Sequence, residues 1–486
     1  MKRLALSITA LFAVVLALLI IRALTFKSRQ IHPPPAAKLQ LDRNAILRRL
    51  SEAIRIQTVS VDPATASNTD AFRDFHAFLA KAFPRVHAQL TKEVISRDSL
   101  LYAWKGKDDR LKPILLMAHM DVVPVDPATA KSWTHGPFSG ELAEGYVWGR
   151  GAMDDKSGTL AILEAVEHLL AEGIQPARTV YLAFGHDEET GGHAGAAKIA
   201  GLLRARGVAL EFVLDEGMNI LSGILPGIAA PVALIGIAEK GYLSLQLTVE
   251  TAGGHSSLPP PESAIGIVSR ALQSLERTPF PSRLGGAARQ MFQFLGPEMP
   301  WFTRLALANL WLVDPLVRKQ LAKSPLINAA IRTTVAPTIF NAGIKENILP
   351  SSATAVVNLR LLPGDSVASA VAHVRRAIAD PRVKITPLPV PLEPSAVSDV
   401  GSPNFALMQR TIGQTAPTAL VAPALLVAAT DSQHYTGLSR DIFRFLPITL
   451  GPEDAKRYHG IDERISFEDY ERCVRFYAQL IRNSQP

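Results

Sequence analysis

Three short apolar runs in the first half of the chain are each followed directly by acidic or imidazole side chains. The runs span 114–118, 180–184 and 212–214, and stretches with helical spacing lie between them around 159–171 and 195–206. Strands that alternate with helices in this way indicate an α/β sheet with crossover helices. The polar residues then lie at the carboxyl ends of strands, where open α/β sheets place their functional sites.

A different pattern begins near Leu243. Residues 243–249 and 353–361 alternate between apolar and polar side chains, which is typical of half-exposed antiparallel strands, and a helix-rich apolar stretch at 280–331 lies between them. We therefore predict α/β architecture with a mostly parallel sheet flanked by helices, into which a smaller α+β domain is inserted. The predicted boundaries are 42–240 for the first part of the main domain, 241–397 for the inserted domain and 398–486 for the second part.

The amino terminus has the composition of a membrane segment. The eighteen residues from Leu4 to Ile21 carry no charge, and at about 1.5 Å per residue a helix of this length covers about 27 Å, close to the hydrocarbon thickness of a bilayer. We predict that residues 1–30 form an uncleaved membrane anchor, with a cleaved secretion signal as the alternative, and that 31–41 form a linker stiffened by Pro33–Pro35. Either prediction places the folded part outside the cytoplasm.

The composition excludes several other classes of protein. A hydrophobic content of 48% with 20% charged residues indicates a globular chain. The net charge of +7 is modest for 486 residues, and no basic stripe with interleaved aromatics predicts nucleic-acid binding. Cys473 is the only cysteine, so an internal disulfide or a thiolate metal cluster cannot form. A bound metal would need nitrogen and oxygen ligands.

Five short motifs carry the side chains with metal-binding or acid–base chemistry. Each has an ordinary structural alternative when taken alone, such as a buried histidine, acids at a helix start or a solvated turn. The motifs are His119-Met120-Asp121, the loop 149–158 with Asp154 and Asp155, the acidic cluster 186–192 with Glu188 and Glu189, the turn Asp215-Glu216, and the loop 458–463 with His459.

The chemistry of these residue types favours a metal site. Clustered acids raise one another's affinity for protons unless cations neutralise them. A histidine can bind a metal while an acid two residues later accepts its other ring proton, as His119 and Asp121 would. One carboxylate can bridge two cations, and paired glutamates such as Glu188 and Glu189 allow one to bind metal and the other to move protons.

Taken in order, the motifs HMD, GRGAMDDKSG, DEETGG, LDEG, GGHSS and HGIDE resemble the zinc-dependent metallopeptidase family of aminoacylase, carboxypeptidase S and succinyl-diaminopimelate desuccinylase. The resemblance covers about residues 42–483. Segments 430–435 and 440–445 most resemble the carboxypeptidase S branch, which includes N-fatty-acyl-amino acid synthase/hydrolases. The resemblance implies that 42–240 and 398–486 form the catalytic domain and that 241–397 is a lid or dimerisation domain.

The resemblance also implies a role for each site residue. It implies two Zn²⁺ ions, or another divalent metal, bound by His119, Asp154 as the bridge, Glu189, His459, and Asp215 or alternatively Glu216. It further implies Glu188 as general base, Asp121 as the residue that orients His119, His255 as an oxyanion donor, and Asn347 and Arg360 as contacts for the substrate carboxylate.

The implied activity is hydrolysis of the amide bond of N-acyl amino acids, or removal of C-terminal residues from small peptides with a free carboxylate. A homodimer and an approach of His255 to the partner's site are also implied. The competing hypothesis is a non-catalytic, membrane-anchored binding protein on the same fold. A route for a fatty chain is one interpretation of the apolar insertion, and a helical core or dimer contact is the other; its residues are Phe292, Phe294, Trp301, Phe302, Leu305, Trp311 and Leu312.

Overall fold

The computed structural model describes residues 2–36, 39–60 and 69–485. Residues 37–38 of the predicted linker lie outside this range. The helices, in chain order, are α1 Lys2–Leu24, α2 Arg43–Arg55, α3 Thr69–Ala82, α4 Pro84–Gln89, α5 Lys156–Ala171, α6 Ala196–Ala205, α7 Ala264–Arg277, α8 Gly286–Leu295, α9 Trp301–Ala308, α10 Leu310–Leu321, α11 Pro325–Ile331, α12 Val367–Ile378, α13 Pro403–Thr415 and α14 Phe467–Asn483.

The strands, in chain order, are β1 Thr91–Ile95, β2 Ser99–Trp104, β3 Ile114–His119, β4 Leu142–Ala143, β5 Tyr146–Trp148, β6 Val180–Gly185, β7 Val213–Asp215, β8 Ile220–Leu221, β9 Val232–Glu239, β10 Gly241–Glu250, β11 Gly254–His255, β12 Thr334–Ala342, β13 Ile348–Leu349, β14 Ser352–Leu361, β15 Lys384–Pro387, β16 Leu420–Leu426, β17 Ile442–Arg444, β18 Thr449–Leu450 and β19 Arg464–Ser466.

The largest sheet has the order β1-β2-β6-β3-β7-β17-β9-β8-β18, with β16 paired to β9. Its centre is parallel: β3 pairs with β6 and β7, and β7 pairs with β17. Strands β1 and β2 extend one edge in antiparallel orientation. The prediction of a mixed α/β fold with a large, mostly parallel sheet is confirmed.

The three apolar runs seen in the sequence are β3, β6 and β7, and the helices expected after the first two are α5 and α6. All six residues of β3 are buried, which is why its sequence shows no alternation. Helix α5 begins after Asp155, whose side chain accepts a hydrogen bond from the Gly158 amide at 3.2 Å.

A second sheet has the order β12-β14-β10-β15 and lies within residues 334–387 and 241–250. Strands β10 and β14 pair antiparallel along ten positions from Gly241–Leu361 to Glu250–Ser352. Their inward side chains form a separate apolar core with α7 and α12. The arrangement matches the alternating pattern of these strands, while the boundaries of an inserted domain at 241 and 397 stay a prediction.

Candidate metal centre

The acidic and imidazole motifs meet at the carboxyl ends of the central parallel strands. His119 ends β3, the short helical turn Glu188–Thr190 follows β6, and Asp215 ends β7. Asp154 lies just before α5, and His459 comes from the loop between β18 and β19. The parallel pairing of β6, β3 and β7 brings residues together that are far apart in sequence.

Asp154 faces two histidines, one with each carboxylate oxygen. Its Oδ1 lies 2.9 Å from Nε2 of His119, and its Oδ2 lies 3.1 Å from Nε2 of His459. The same nitrogen of His459 lies 3.2 Å from Oε2 of Glu189. Ligands about 2.0–2.2 Å from a tetrahedral zinc ion are separated by about 3.4 Å. The donor atoms therefore lie a few tenths of an ångström closer than ligands of a shared ion.

The described residues contain three groups of candidate ligands, and within each group the ligand atoms lie within 4.8 Å of one another. They are His119 with Asp154 and Glu216, His119 with Glu188 and Glu189, and Asp154 with Glu189 and His459. The first and third groups share only Asp154. The second group shares His119 with the first and Glu189 with the third, so the candidate ligands form one continuous cluster that could hold metal ions.

Asp215, the ligand preferred from the sequence, is in none of these groups, whereas the alternative Glu216 is. The Asp215 carboxylate accepts hydrogen bonds from the amide of Ser432 at 2.8 Å and from that of Glu216 at 3.0 Å. Ser432 is fixed by the buried ion pair of Arg444 and Glu239, whose atoms lie 2.6 Å apart. Asp215 therefore points toward the loop that contains Ser432, while Glu216 lies with the other candidate ligands, and the choice between the two stays a prediction.

Asp121 supports both sides of the centre. One of its carboxylate oxygens lies 3.4 Å from Nδ1 of His119, and the backbone carbonyl of Asp121 is 3.0 Å from the same nitrogen. The carboxylate also accepts the amides of Glu188 and Glu189 at 3.2 Å each, and the hydroxyl of Ser60 at 2.7 Å. Asp121 thus contacts the His119 ring mainly through its carbonyl, and its side chain holds the backbone that carries both glutamates.

Glu463 organises the loop before α5, and the sequence did not single out this role. Its buried carboxylate accepts the amides of Gly151, Met153 and Asp154 at 2.9, 2.8 and 3.2 Å. It also forms a buried ion pair with Arg150 at 2.6 Å. Arg150 and Glu463 both lie in the motifs noted above, yet no short-range pattern links positions 313 residues apart.

The carboxyl groups of the centre have the electrostatics of a cation site. Burial raises the pKa of Glu188 and of Glu216 well above the ordinary value, and neighbouring carboxylates add to the shift in both. Hydrogen bonds to Asp154 and Glu189 raise the pKa of His459 to about 10. Crowded carboxylates that raise one another's proton affinity are stabilised by cations.

Two carboxylates at the centre have buried oxygens that find no hydrogen-bond partner among the described residues. These are Oε1 of Glu189 and both oxygens of Asp431. The Asp431 carboxylate lies against the backbone of Gly185 and Gly192, where a side chain on either glycine would collide with it. Such unpaired oxygens are costly in the interior unless an ion or water satisfies them. The nitrogen and oxygen donors present thus fit divalent cations such as zinc.

The three residues predicted on the inserted segment lie elsewhere. His255 in β11 pairs with Ile348 in β13, next to Asn347, whose carbonyl accepts the amide of Ser256 at 3.2 Å. The exposed ring of His255 bonds Ser257 at 2.8 Å. Arg360 stacks on Tyr242, with its guanidinium 4.9 Å from the ring centroid. Among the described residues, His255 is in none of the three groups of candidate ligands.

A mostly apolar cavity of about 760 Å³ lies between the apolar insertion and the main sheet. Its lining includes Met218, two positions after Glu216, and Leu425 of β16. Phe292 and Phe302, which the sequence suggested for a fatty-chain route, also line it. Of the other suggested residues, Phe294 packs into the main core, while Trp301, Trp311 and Leu312 are exposed.

Comparison with known proteins decides the family. The family model described as Peptidase family M20/M25/M40 matches residues 115–483. The chain belongs to this peptidase family. It is 42% identical over 481 residues to probable carboxypeptidase S-like 2 of Dictyostelium discoideum, covering 97% of this chain and 92% of that protein. It is 42% identical over 450 residues to N-fatty-acyl-amino acid synthase/hydrolase PM20D1 of Xenopus tropicalis, covering 91% and 86%.

The fold agrees with solved members of the M20 family. The M20 family metallo-carboxypeptidase Sso-CP2 from Sulfolobus solfataricus superposes with a TM-score of 0.65 at 18% identity, covering 90% of this chain and 98% of that one. The resemblance inferred from the motifs is therefore confirmed, as is the expectation of an enzyme of the hydrolase class. Members of the M20 family are metal-dependent peptidases.

Proposed function

We propose that this M20 protein is a two-metal amidohydrolase that cleaves N-acyl amino acids, including those with long acyl chains. The observation that carries the proposal is Asp154, whose two carboxylate oxygens face different histidines. We assign His119 and Glu216 to one ion, Glu189 and His459 to the other, and Asp154 to both. Two zinc ions there would supply Lewis acidity that lowers the pKa of water and polarises the amide carbonyl.

Glu188 is the general base in this proposal. It takes a proton from the attacking water and delivers it to the nitrogen of the leaving amine, so that one carboxylate serves both halves of the reaction. The support is its place beside His119 and Glu189 in one ligand group and the raised pKa that burial gives its carboxyl. Asp121 keeps this base in position by accepting the Glu188 amide at 3.2 Å.

The inserted segment supplies the remaining contacts. We propose His255 as the donor to the developing oxyanion and Asn347 with Arg360 as contacts for the substrate carboxylate. His255 and Asn347 lie together at the β11–β13 pair. Since His255 is exposed and away from the metal-binding groups, its role requires an approach of the second sheet, or of the second sheet of a partner in a homodimer.

Long acyl chains are the substrate feature that the cavity supports. Its volume of about 760 Å³ lies within the range of about 300–1,000 Å³ for pockets that enclose small molecules. Its mostly apolar lining suits methylene groups better than charged or polar substituents. The relatives named N-fatty-acyl-amino acid synthase/hydrolase support this choice, while those named carboxypeptidase S-like keep removal of C-terminal residues from small peptides as the alternative.

For the localisation, we propose a membrane-anchored protein with the catalytic part outside the cytoplasm. Helix α1 is long and apolar enough to cross a membrane, and its side chains are largely exposed. A secreted protein from which this helix is cleaved is the alternative, because a signal sequence has the same composition.

The substrate proposal is tested by comparing hydrolysis of N-oleoyl and N-acetyl forms of the same amino acid. We expect kcat/KM to be higher for the oleoyl substrate. Ala306→Trp would fill the cavity and lower kcat/KM for the N-oleoyl substrate more than for the N-acetyl substrate. Ala308→Trp, also on α9 but outside this cavity, is the matched control. Equal rates for acetyl and oleoyl substrates in the parent chain would refute the acyl-chain proposal while leaving the amidohydrolase assignment intact.

A further inference from the structure

Helix α1 is bound to the apolar insertion by hydrogen bonds at its carboxyl end. Arg304 of α9 donates to the carbonyl of Ala23 and to that of Phe26, at 2.9 Å each. Asn309, between α9 and α10, donates to the carbonyl of Leu19 at 3.0 Å. The last turns of α1 therefore have a fixed position against α9 and the start of α10.

The segment after α1 is also held against the main domain. Gln30 and Val421 exchange two hydrogen bonds, at 3.0 and 2.8 Å. Gln409 of α13 donates to the carbonyl of Arg29 at 2.8 Å. Because little free chain separates α1 from these contacts, a membrane that contains α1 must lie close to α9 and α10.

The same helices expose large apolar side chains. Phe302 is 82% exposed, Leu316 is 69%, Trp311 is 57% and Trp301 is 41%. The indole of Trp311 donates to the side-chain oxygen of Asn309 at 3.3 Å, the residue that also bonds Leu19. Trp311 thus lies beside the carboxyl end of α1. If α1 spans a membrane, this end lies at the membrane–water interface, where tryptophan is enriched.

Arginine side chains lie next to the exposed apolar residues of α9 and α10. A cavity of about 880 Å³ next to Trp311 is lined by four arginines. Arg283 pairs with Asp365 and Arg318 with Asp314. The other two, Arg22 and Arg289, form no ion pair with a carboxylate among residues 2–36, 39–60 and 69–485. Basic groups beside a membrane segment attract anionic headgroups.

We propose that α9 and α10 rest on the bilayer surface where α1 enters it, with Trp301, Phe302 and Trp311 in the interfacial layer. The Arg22–Arg289 side of the cavity then faces lipid phosphates. The occupant is a phospholipid bilayer and not a second copy, because α1 fixes the distance of these helices from the membrane. The inference rests on the proposal that α1 is a retained membrane anchor.

The two surface tryptophans provide a direct test. Trp104, Trp133 and Trp148 are buried, so Trp301 and Trp311 are the tryptophans accessible to lipid. The full chain is reconstituted into vesicles of phospholipid with or without brominated acyl chains, and tryptophan emission is compared. We expect bromolipid to reduce the emission of the parent chain. The Trp301→Phe/Trp311→Phe double variant should lose this reduction, while Trp104→Phe, the matched control, should keep it.

Equal emission of the parent chain in brominated and unbrominated vesicles would overturn the proposal, and this result does not depend on any variant folding. Acrylamide added from the aqueous side then identifies the alternative: strong quenching means a solvated surface, and weak quenching means a surface covered by a second copy. Hydrolysis of an N-acyl amino acid in the same vesicles is a separate readout, so failure of the membrane proposal is distinguishable from failure of the proposed activity.

Discussion

Nε2 of His119 and Oδ1 of Asp154 lie 2.9 Å apart, although 35 positions separate the two residues in sequence. The other oxygen of Asp154 faces His459, so the carboxylate stands between two imidazoles. This relationship is the basis for proposing two cation sites with a shared ligand.

The first prediction concerns the adjacent acids of the β7 turn. We expect Glu216→Gln to lose about one metal equivalent per chain, because an amide is a poorer ligand than a carboxylate for the ion shared with His119. Asp215→Asn should keep both ions, because its carboxylate accepts two backbone amides and is in none of the ligand groups found among the described residues. Metal content is measured by mass spectrometry of the purified chains. The reverse pattern would restore Asp215 as the ligand.

The second prediction separates chemistry from metal binding at Glu188. Glu188→Gln removes the carboxylate that carries the proton. It keeps the size of the side chain and the hydrogen bond that the backbone amide of residue 188 donates to the Asp121 carboxylate. We expect kcat for an N-acyl amino acid to fall by about 10²- to 10⁴-fold, the usual contribution of a general base. Metal content should stay at the parent value. A variant with near-parent kcat would show that another group moves the proton.

The third prediction concerns the support of the metal loop by Glu463. Glu463→Gln leaves the buried Arg150 without its charge partner, which should lower the free energy of unfolding by about 3–5 kcal/mol. Burial raises the pKa of Glu463 to about 7, so urea unfolding is compared at pH 8.5, where the parent carboxylate is ionised. Glu93→Gln, which breaks the exposed pair with Arg206, is the control and should cost at most about 1 kcal/mol. Equal effects of the two substitutions would contradict a special role for Glu463.

The fourth prediction is a pH dependence at Lys240, between β9 and β10. Its buried ammonium donates to the carbonyls of Ala329 and Arg332 at 2.9 Å each, and burial lowers its pKa to about 7. The unfolded chain, with a pKa near 10.5, binds more protons between pH 7 and 10.5 than the folded chain does. The stability contribution of Lys240 is thus full above pH 10.5 and is lost as the pH falls through 7.

The measurement for Lys240 is urea unfolding of the parent and of Lys240→Met at pH 7 and pH 9.5. The difference between their free energies of unfolding removes the contributions of the other groups that titrate in this range, because both chains contain these groups. We expect the parent to gain stability relative to the variant as the pH rises. A difference that is constant or shrinks with rising pH would show that the ammonium stays charged in the fold.

The sequence contained most of the fold and the composition of the candidate site, but not its fine geometry. The buried runs that became β3, β6 and β7 carry a pattern within a few residues, and their parallel order brings the following acids together. The sequence does not decide whether Asp215 or Glu216 is the ligand. Successive side chains at a strand end point to opposite sides, so only one of the two can face the other ligands. The amide that binds the Asp215 carboxylate belongs to Ser432, 217 positions later in the chain.

The roles of Glu463 and of the exposed tryptophans were missed for a related reason. Glu463 acts through backbone amides more than 300 positions earlier, which leaves no periodic signal. For Trp301 and Trp311, the sequence leaves both a fatty-chain route and a helical core or dimer contact open, because composition alone does not give the face on which a side chain lies. In the structure both tryptophans are exposed, while Phe292 and Phe302 line the apolar cavity.

The number of metal ions needed for activity tests the central claim most directly. The chain is stripped with a chelator and titrated with Zn²⁺ while hydrolysis of an N-acyl amino acid is followed. If Asp154 bridges two ions, activity reaches its plateau at two equivalents per chain, and Asp154→Ala shows no activity at any zinc concentration that the parent tolerates. A plateau at one equivalent, or full hydrolysis without added metal, would contradict the account.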